Sequence, residues 1–217
     1  VQNDWIQCTP WNNPNEKGMG IGWTFAQSAA AEWGLWVATN GKRFVNELAN
    51  RKVRADAIMV EQSEGRRAVA ICNRANPGMM EKLLERKIIK QYQTLDDIAA
   101  DFKIPAADLK KTVDAFNKSV AAKHDPEFGR YINNEQKPMT EGPWYAEEMS
   151  PKIHHCMGGL VTDMDARVID IVDGKPIPGL FAAGEATSGV HGAVRLGSCS
   201  ILDCLIDGRI AGQQAAK

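Results

Sequence analysis

Several broad classes are excluded by what the sequence lacks. There is no cationic surplus: 26 Lys and Arg stand against 27 Asp and Glu, a formal net charge of −1. That balance argues against nucleic acid as the main partner, because neutralising phosphates needs an excess of basic residues. No apolar run approaches the roughly 20 residues of a membrane-spanning helix, so no membrane span is expected. The opening Val1-Gln2-Asn3-Asp4-Trp5-Ile6 has neither a basic start nor an apolar signal core. An export signal would have to lie upstream of residue 1, so cytoplasmic and periplasmic locations both stay open. The cysteines, Cys8, Cys72, Cys156, Cys199 and Cys204, are odd in number and fit no zinc spacing. They read as free thiols of a reducing compartment, and no metal site is expected. No internal repeat is present.

What is there suits an ordinary globular core: 217 residues, 44% apolar and 24% charged, enough for one large domain or two small ones. Residues 9–15 are loop by turn chemistry. An Ala-rich stretch over 24–33 predicts a short helix, and helices are also expected over 54–63, 77–86 and 105–122. Pro77 suits a first helical position. Leu109, Val113, Phe116 and Val120 share one face of the 105–122 segment. Thr94 starts a further helix with a capping box. Between them, 67–72 reads as a buried strand, and the middle of the chain as mostly helical. Residues 123–143 lack periodicity and predict a long loop.

Beyond that loop the pattern changes to short strands: 144–149, 160–163, 167–170, and a buried strand over 178–184 ending in glycine. Turn signals at Met164-Asp165-Ala166 and Asp173-Gly174 separate them. A helix follows from about Ser200, with Ile201, Leu202, Leu205, Ile206 and Ile210 as its apolar face. The change of pattern predicts a boundary near residue 150. The later segment, of about 60 residues, is too small to make a good core alone.

Three clusters carry candidate chemistry. The first is Gly41-Lys42-Arg43-Phe44-Val45-Asn46-Glu47, followed by Arg51. The second is His154-His155-Cys156-Met157-Gly158-Gly159. The third runs from Gly184-Glu185 through Gly189-Val190-His191-Gly192-Ala193-Val194-Arg195-Leu196-Gly197 to Ser200-Ile201. In the third, a strand ends in glycine, a carboxylate follows, and a glycine-rich loop enters a helix. Such a strand edge presents carboxylate and bare backbone to a nucleotide or sugar. The free N–H groups at the helix start stabilise an anion, including charge on a reduced flavin. A plain strand–loop–helix would have the same local pattern.

In order and spacing, these clusters resemble the flavoprotein fumarate reductases, the soluble family that includes flavocytochrome c fumarate reductase and urocanate reductase. The likeness covers most of the chain and is strongest at 41–51 and 154–216. It implies a mixed α/β (α+β) cap or clamp domain, residues 1–154, followed by residues 155–217 as the closing strand–loop–helix segment of a split FAD-binding domain. The dinucleotide glycine fingerprint would precede the cap, and Gly18-Met19-Gly20-Ile21-Gly22 does not follow a strand in the required way. The chain is therefore expected to be a piece of the enzyme, with FAD bound in the complete protein.

By the same resemblance, Arg51 is the proton donor, and His155 and Arg195 bind a substrate carboxylate or carbonyl oxygen. His154 is the rival for the position of His155. Glu185 is the acid that binds FAD, with Cys156, Gly184, Ser200 and Ile201 at FAD-contacting positions. The sequence departs from the fumarate-specific pattern in two places. Thr9 stands where a substrate-binding histidine is expected. Ala26, Gln27 and Ala30 replace a Thr-Glu pair and an arginine that bind the second carboxylate and relay protons. Trp11, Trp23, Trp33 and Trp36 suit a bulkier or more apolar substrate, or simply a core. The resemblance implies reduction of an α,β-unsaturated acid other than fumarate, with electrons from a haem domain, an FMN domain or a quinone system outside this chain. A ring-ketone (3-oxosteroid-type) dehydrogenase or reductase, fumarate reductase proper, and a non-catalytic binding module are the alternatives.

Overall fold

The structure, a computed structural model, describes residues 6–15, 22–74 and 76–217. Most of the Gly18-Met19-Gly20-Ile21-Gly22 run and the side chains of Thr9, Trp11 and Trp23 lie outside the described residues. The chain divides into two compact units: Thr9–Lys152, and Val1–Cys8 together with Ile153–Lys217.

The Thr9–Lys152 unit is built on an antiparallel sheet, not on helices alone. Its strands are β1 (Ile6–Asn12), β2 (Leu35–Ala38), β3 (Ala68–Cys72), β4 (Lys90–Tyr92) and β5 (Trp144–Cys156), in the order β1-β5-β3-β2 with β4 also on β5. The ends of β1 and β5 run on into the other unit. Alternate residues point to opposite faces of a strand, and here both faces are covered. Leu35, Val37, Val69 and Ile71 enter one apolar cluster with α5 (Leu95–Phe102) and α6 (Ala106–Ala122). Trp36, Ala68, Ala70 and Cys72 enter another with α3 (Arg51–Ser63) and α4 (Pro77–Glu85). That double burial is why β2 and β3 are apolar at every position, and why β2 shows no alternation to read from sequence.

Local signals set most helix ends. The Thr94 capping box closes on Asp97, Asn76 caps α4, and Pro105 immediately precedes α6. The Ala-rich stretch is helical but broken: α1 (Gly22–Phe25), a π-helical turn over Ala26–Ala30, then α2 (Ala31–Trp33). Helix α3 starts earlier than the expected residue 54, because the Asn50 side chain accepts the Val53 N–H and caps it at Arg51. Gly34 joins α2 to β2 where a Cβ would stand 2.0 Å from the Ile71 carbonyl oxygen, so only glycine fits.

The second unit is sparser. The expected strand at 160–163 is reduced to isolated bridges, Leu160 to Thr187 and Thr162 to Val168. A two-stranded sheet joins β6 (Arg167–Ile169) to β7 (Pro176–Phe181). The strand expected to be buried over 178–184 is thus displaced to 176–181, and it is half-buried at its ends and exposed over Pro178, Gly179 and Leu180. Helix α7 (Cys199–Ala215) likewise leaves Ile201, Leu202, Leu205 and Ile206 between 50% and 67% exposed. No described helix is long and apolar enough to cross a membrane.

Candidate functional site

In the Thr9–Lys152 unit the first cluster holds the start of α3 in place. Glu47 is fully buried and accepts from Arg43 Nε (2.9 Å) and Nη2 (2.8 Å), from Arg130 Nη1 (3.2 Å) and from the Trp36 backbone N–H (3.2 Å). Arg43 also donates twice to Asp125, at 3.1 and 3.0 Å. Burial alone would make the Arg43 guanidinium easier to deprotonate, but Glu47 and Asp125 outweigh it and hold the proton more firmly than usual. Arg130 spans to the carbonyls of Gly34 and Glu32. Four residues after Glu47, Arg51 is the first residue of α3. Thr9 lies in β1.

Arg54, a residue without an assigned role, is only 6% exposed. Its Nη1 donates to Gln27 Oε1 at 2.7 Å and to the Glu47 carbonyl at 2.9 Å, and the guanidinium lies 5.7 Å from the Trp36 ring. Burial, then the neighbouring charge of Arg51, lowers its pKa to about 10. The three-residue spacing puts both arginines on one side of α3. Gln27 sits in the π-helical turn, a distortion frequent at functional sites. No apolar or charge pattern around residue 54 signals this burial.

In the Ile153–Lys217 segment the second and third clusters meet. The Cys156 N–H donates to Glu185 Oε1 at 2.9 Å, and His155 Nδ1 stands 3.4 Å from Glu185 Oε2. His155 is 4% exposed, and its Nε2 is buried without a hydrogen-bond partner among the described residues. Burial lowers its pKa, opposed by Glu185 and assisted by Arg195 and His191. Arg195, 5% exposed, donates from Nη1 to the Leu196 carbonyl and from Nη2 to His154 Nε2, each at 2.8 Å. Arginine can only donate, so His154 Nε2 accepts there. The rival histidine therefore orients Arg195, while His155 keeps a free ring nitrogen.

Two groups given no role from sequence belong to the same cluster. His191 Nε2 lies 3.1 Å from Asp203 Oδ2, and the His191 ring meets the His155 ring edge-on at 5.6 Å between centroids. Both border a cavity of about 500 Å³ walled by Val190, Val194 and Leu196. Asp203 and Asp207, four apart on α7, were the available signal: acids on one helix side amid apolar residues.

The remaining candidate residues lie at a glycine turn and at a helix start. Gly184 has φ +63°, and a Cβ there would stand 2.7 Å from Cys204 Sγ. That positive φ turns the chain so that Glu185 follows on a 3₁₀ turn, Gly184–Ala186. Ser200 and Ile201 lie in the first turn of α7, whose N-cap Ser198 makes no side-chain cap. That end offers backbone N–H groups and a positive dipole to an anion.

Residues 3–201 match the family described as FAD binding domain. The acrylate reductase flavoprotein subunit of Shewanella woodyi (strain ATCC 51908 / MS32) is 34% identical over 219 residues, covering 96% of this chain and 42% of the relative. Among solved structures, the open conformation of a flavocytochrome c3 fumarate reductase aligns with 98% of this chain and 36% of its own, at 34% identity and a TM-score of 0.71. A 3-ketosteroid Δ1-dehydrogenase from Sterolibacterium denitrificans aligns with a TM-score of 0.77 over 98% of this chain and 43% of its own, at 23% identity, a likeness of fold alone. The chain spans less than half the length of the curated relatives it matches most strongly. The family match extends over most of the chain and includes both glycine-rich clusters, and the chain belongs to the FAD binding domain family.

Proposed function

We propose that the complete flavoprotein reduces the carbon–carbon double bond of an α,β-unsaturated acid, with residues 1–154 as its cap and 155–217 closing its FAD domain. The supporting observation is the pair His155 and Arg195: a buried imidazole whose Nε2 has no hydrogen-bond partner among the described residues, beside a buried guanidinium, a donor set for a carboxylate. The relative named as an acrylate reductase and the fumarate reductase structure both act on such acids by name.

Glu185, the Cys156 backbone, Gly184 and the α7 amides at Ser200 and Ile201 hold FAD, which when bound supplies the hydride. Arg195 and His155 grip the substrate carboxylate and draw electron density toward it. Thr9 is assigned to substrate binding by its place in the family pattern. Arg51 holds the proton on its guanidinium and delivers it to the alkene carbon that becomes carbanionic, stabilising charge as it develops. So weakly acidic a group must be reprotonated by a relay. Electrons enter from a haem, FMN or quinone donor outside this chain.

The test is kcat/KM for acrylate, methacrylate, urocanate, cinnamate, fumarate and a 3-oxosteroid with one electron donor. Ala26 and Ala30 carry no charge, and Gln27 is engaged by Arg54. A missing charge-assisted bond costs about 1.5–3 kcal/mol, so lacking two places fumarate about two to four orders of magnitude below the best monocarboxylate. Preference for fumarate would mean that Arg54 supplies the second grip. Turnover of the steroid alone would overturn the proposal.

A further inference from the structure

Within the Ile153–Lys217 segment, the environment of His155 imposes a condition on carboxylate binding. Its Nδ1 faces the Glu185 carboxylate at 3.4 Å, which favours a hydrogen on that nitrogen. In a neutral ring so oriented, Nε2 carries a lone pair and repels an anionic oxygen. The unpartnered Nε2 can grip a carboxylate only when the ring is doubly protonated.

Burial opposes that charge, and so do Arg195 and His191 on the glycine-rich loop. Glu185 on the 3₁₀ turn and Asp203 on α7 support it. His154, next to His155 on β5, acts through its bond with Arg195. Asp207, on α7, hydrogen-bonds Asp203; burial and that acid push the Asp207 carboxyl up. Asp203 Oδ2 in turn stands 3.1 Å from His191 Nε2. Both side chains of the His191–Asp203 pair are nearly buried, 11% and 4% exposed. The His191 ring in turn sets the edge of His155.

We propose that Asp203 and His191 are positioning residues for carboxylate capture: His191, held by Asp203, fixes the His155 ring, and Asp203 sustains the charged form of that ring, so that binding an acid at Nε2 takes up one proton from solvent. The step is an acid–base equilibrium, with water supplying the proton and no redox partner. It rests on the assignment of His155 to substrate binding.

The experiment uses the complete flavoprotein in its oxidised, FAD-loaded state and propionate, a saturated monocarboxylate, as the probe. Propionate affinity is read from the flavin absorbance change across pH. Proton uptake is read by calorimetry in two buffers of different ionisation enthalpy. In the unaltered protein, affinity is expected to fall as pH rises through the His155 titration, with uptake approaching one proton on the alkaline side. Asp203→Asn removes a charge that supports protonation, so the limb moves to lower pH and affinity measured on it falls by roughly three- to tenfold. Asp203→Glu restores the limb. A merely structural role would lower affinity at every pH and leave the limb in place. No proton uptake in the unaltered protein overturns the inference without recourse to any variant. If His155→Gln abolishes propionate affinity but Asp203→Asn leaves the limb unmoved, the inference fails and the substrate assignment survives. If His155→Gln changes nothing, both fail.

Discussion

Glu47→Gln separates a framework role from a catalytic one. The Glu47 carboxylate is fully buried and answers two guanidinium groups and a backbone N–H, with its closest donor at 2.8 Å. The amide keeps the volume but removes the charge, leaving Arg43 and Arg130 with Asp125 as the remaining buried acid of the network. Breaking a buried pair by removing one partner costs about 3–5 kcal/mol, because the other charge stays desolvated. At an m-value of about 1–3 kcal/mol per molar urea, the unfolding midpoint falls by roughly 1–5 M. The assay is urea unfolding followed by tryptophan fluorescence, since Trp36 lies against the network. Lys52→Ala is the control. Lys52 pairs with Asp56 on the exposed face of α3, where such pairs contribute about 0.3–0.5 kcal/mol. Glu47 also stands four residues before Arg51, the first residue of α3, so kcat should fall in the same variant. A midpoint shift no larger than the Lys52→Ala control would refute the ion network as the anchor of α3.

Arg51→Lys should lower kcat by orders of magnitude with KM little changed, since lysine keeps the charge but loses the planar fork and the reach; an unchanged kcat removes Arg51 from the chemistry. The 217-residue chain by itself should bind FAD poorly, because the glycine fingerprint that holds a pyrophosphate is not among its motifs; a stoichiometric yellow complex on titration would show that the cofactor's main contacts lie here. Cys72, buried in β3 with its thiol pushed up to about 12 by burial, should resist alkylation at pH 8 in the folded protein, while the exposed Cys204 reacts; equal labelling by mass spectrometry would contradict the burial of β3.

The sequence itself set the helices with strong local signals: the Thr94 capping box, Pro77 as first residue of α4, and the apolar stripe of α6. Each depends on groups within a few residues, so each is written locally. It also carried the three motifs and hence the family. What it left out is non-local. β2 is four residues whose two faces meet different helix layers, so its pattern has no period. Arg54 is polar by type, and only the meeting of α3 with the π-helical turn and Trp36 buries it. Asp203 becomes a partner of His191 because α7 folds back against the glycine-rich loop, twelve residues away along the chain. Residue types and spacing determined which chemistry the chain can carry. Tertiary packing decided which of those groups are buried, which nitrogen of His155 has no partner among the described residues, and which charges stand beside it, because desolvation and pairing are properties of the assembled fold.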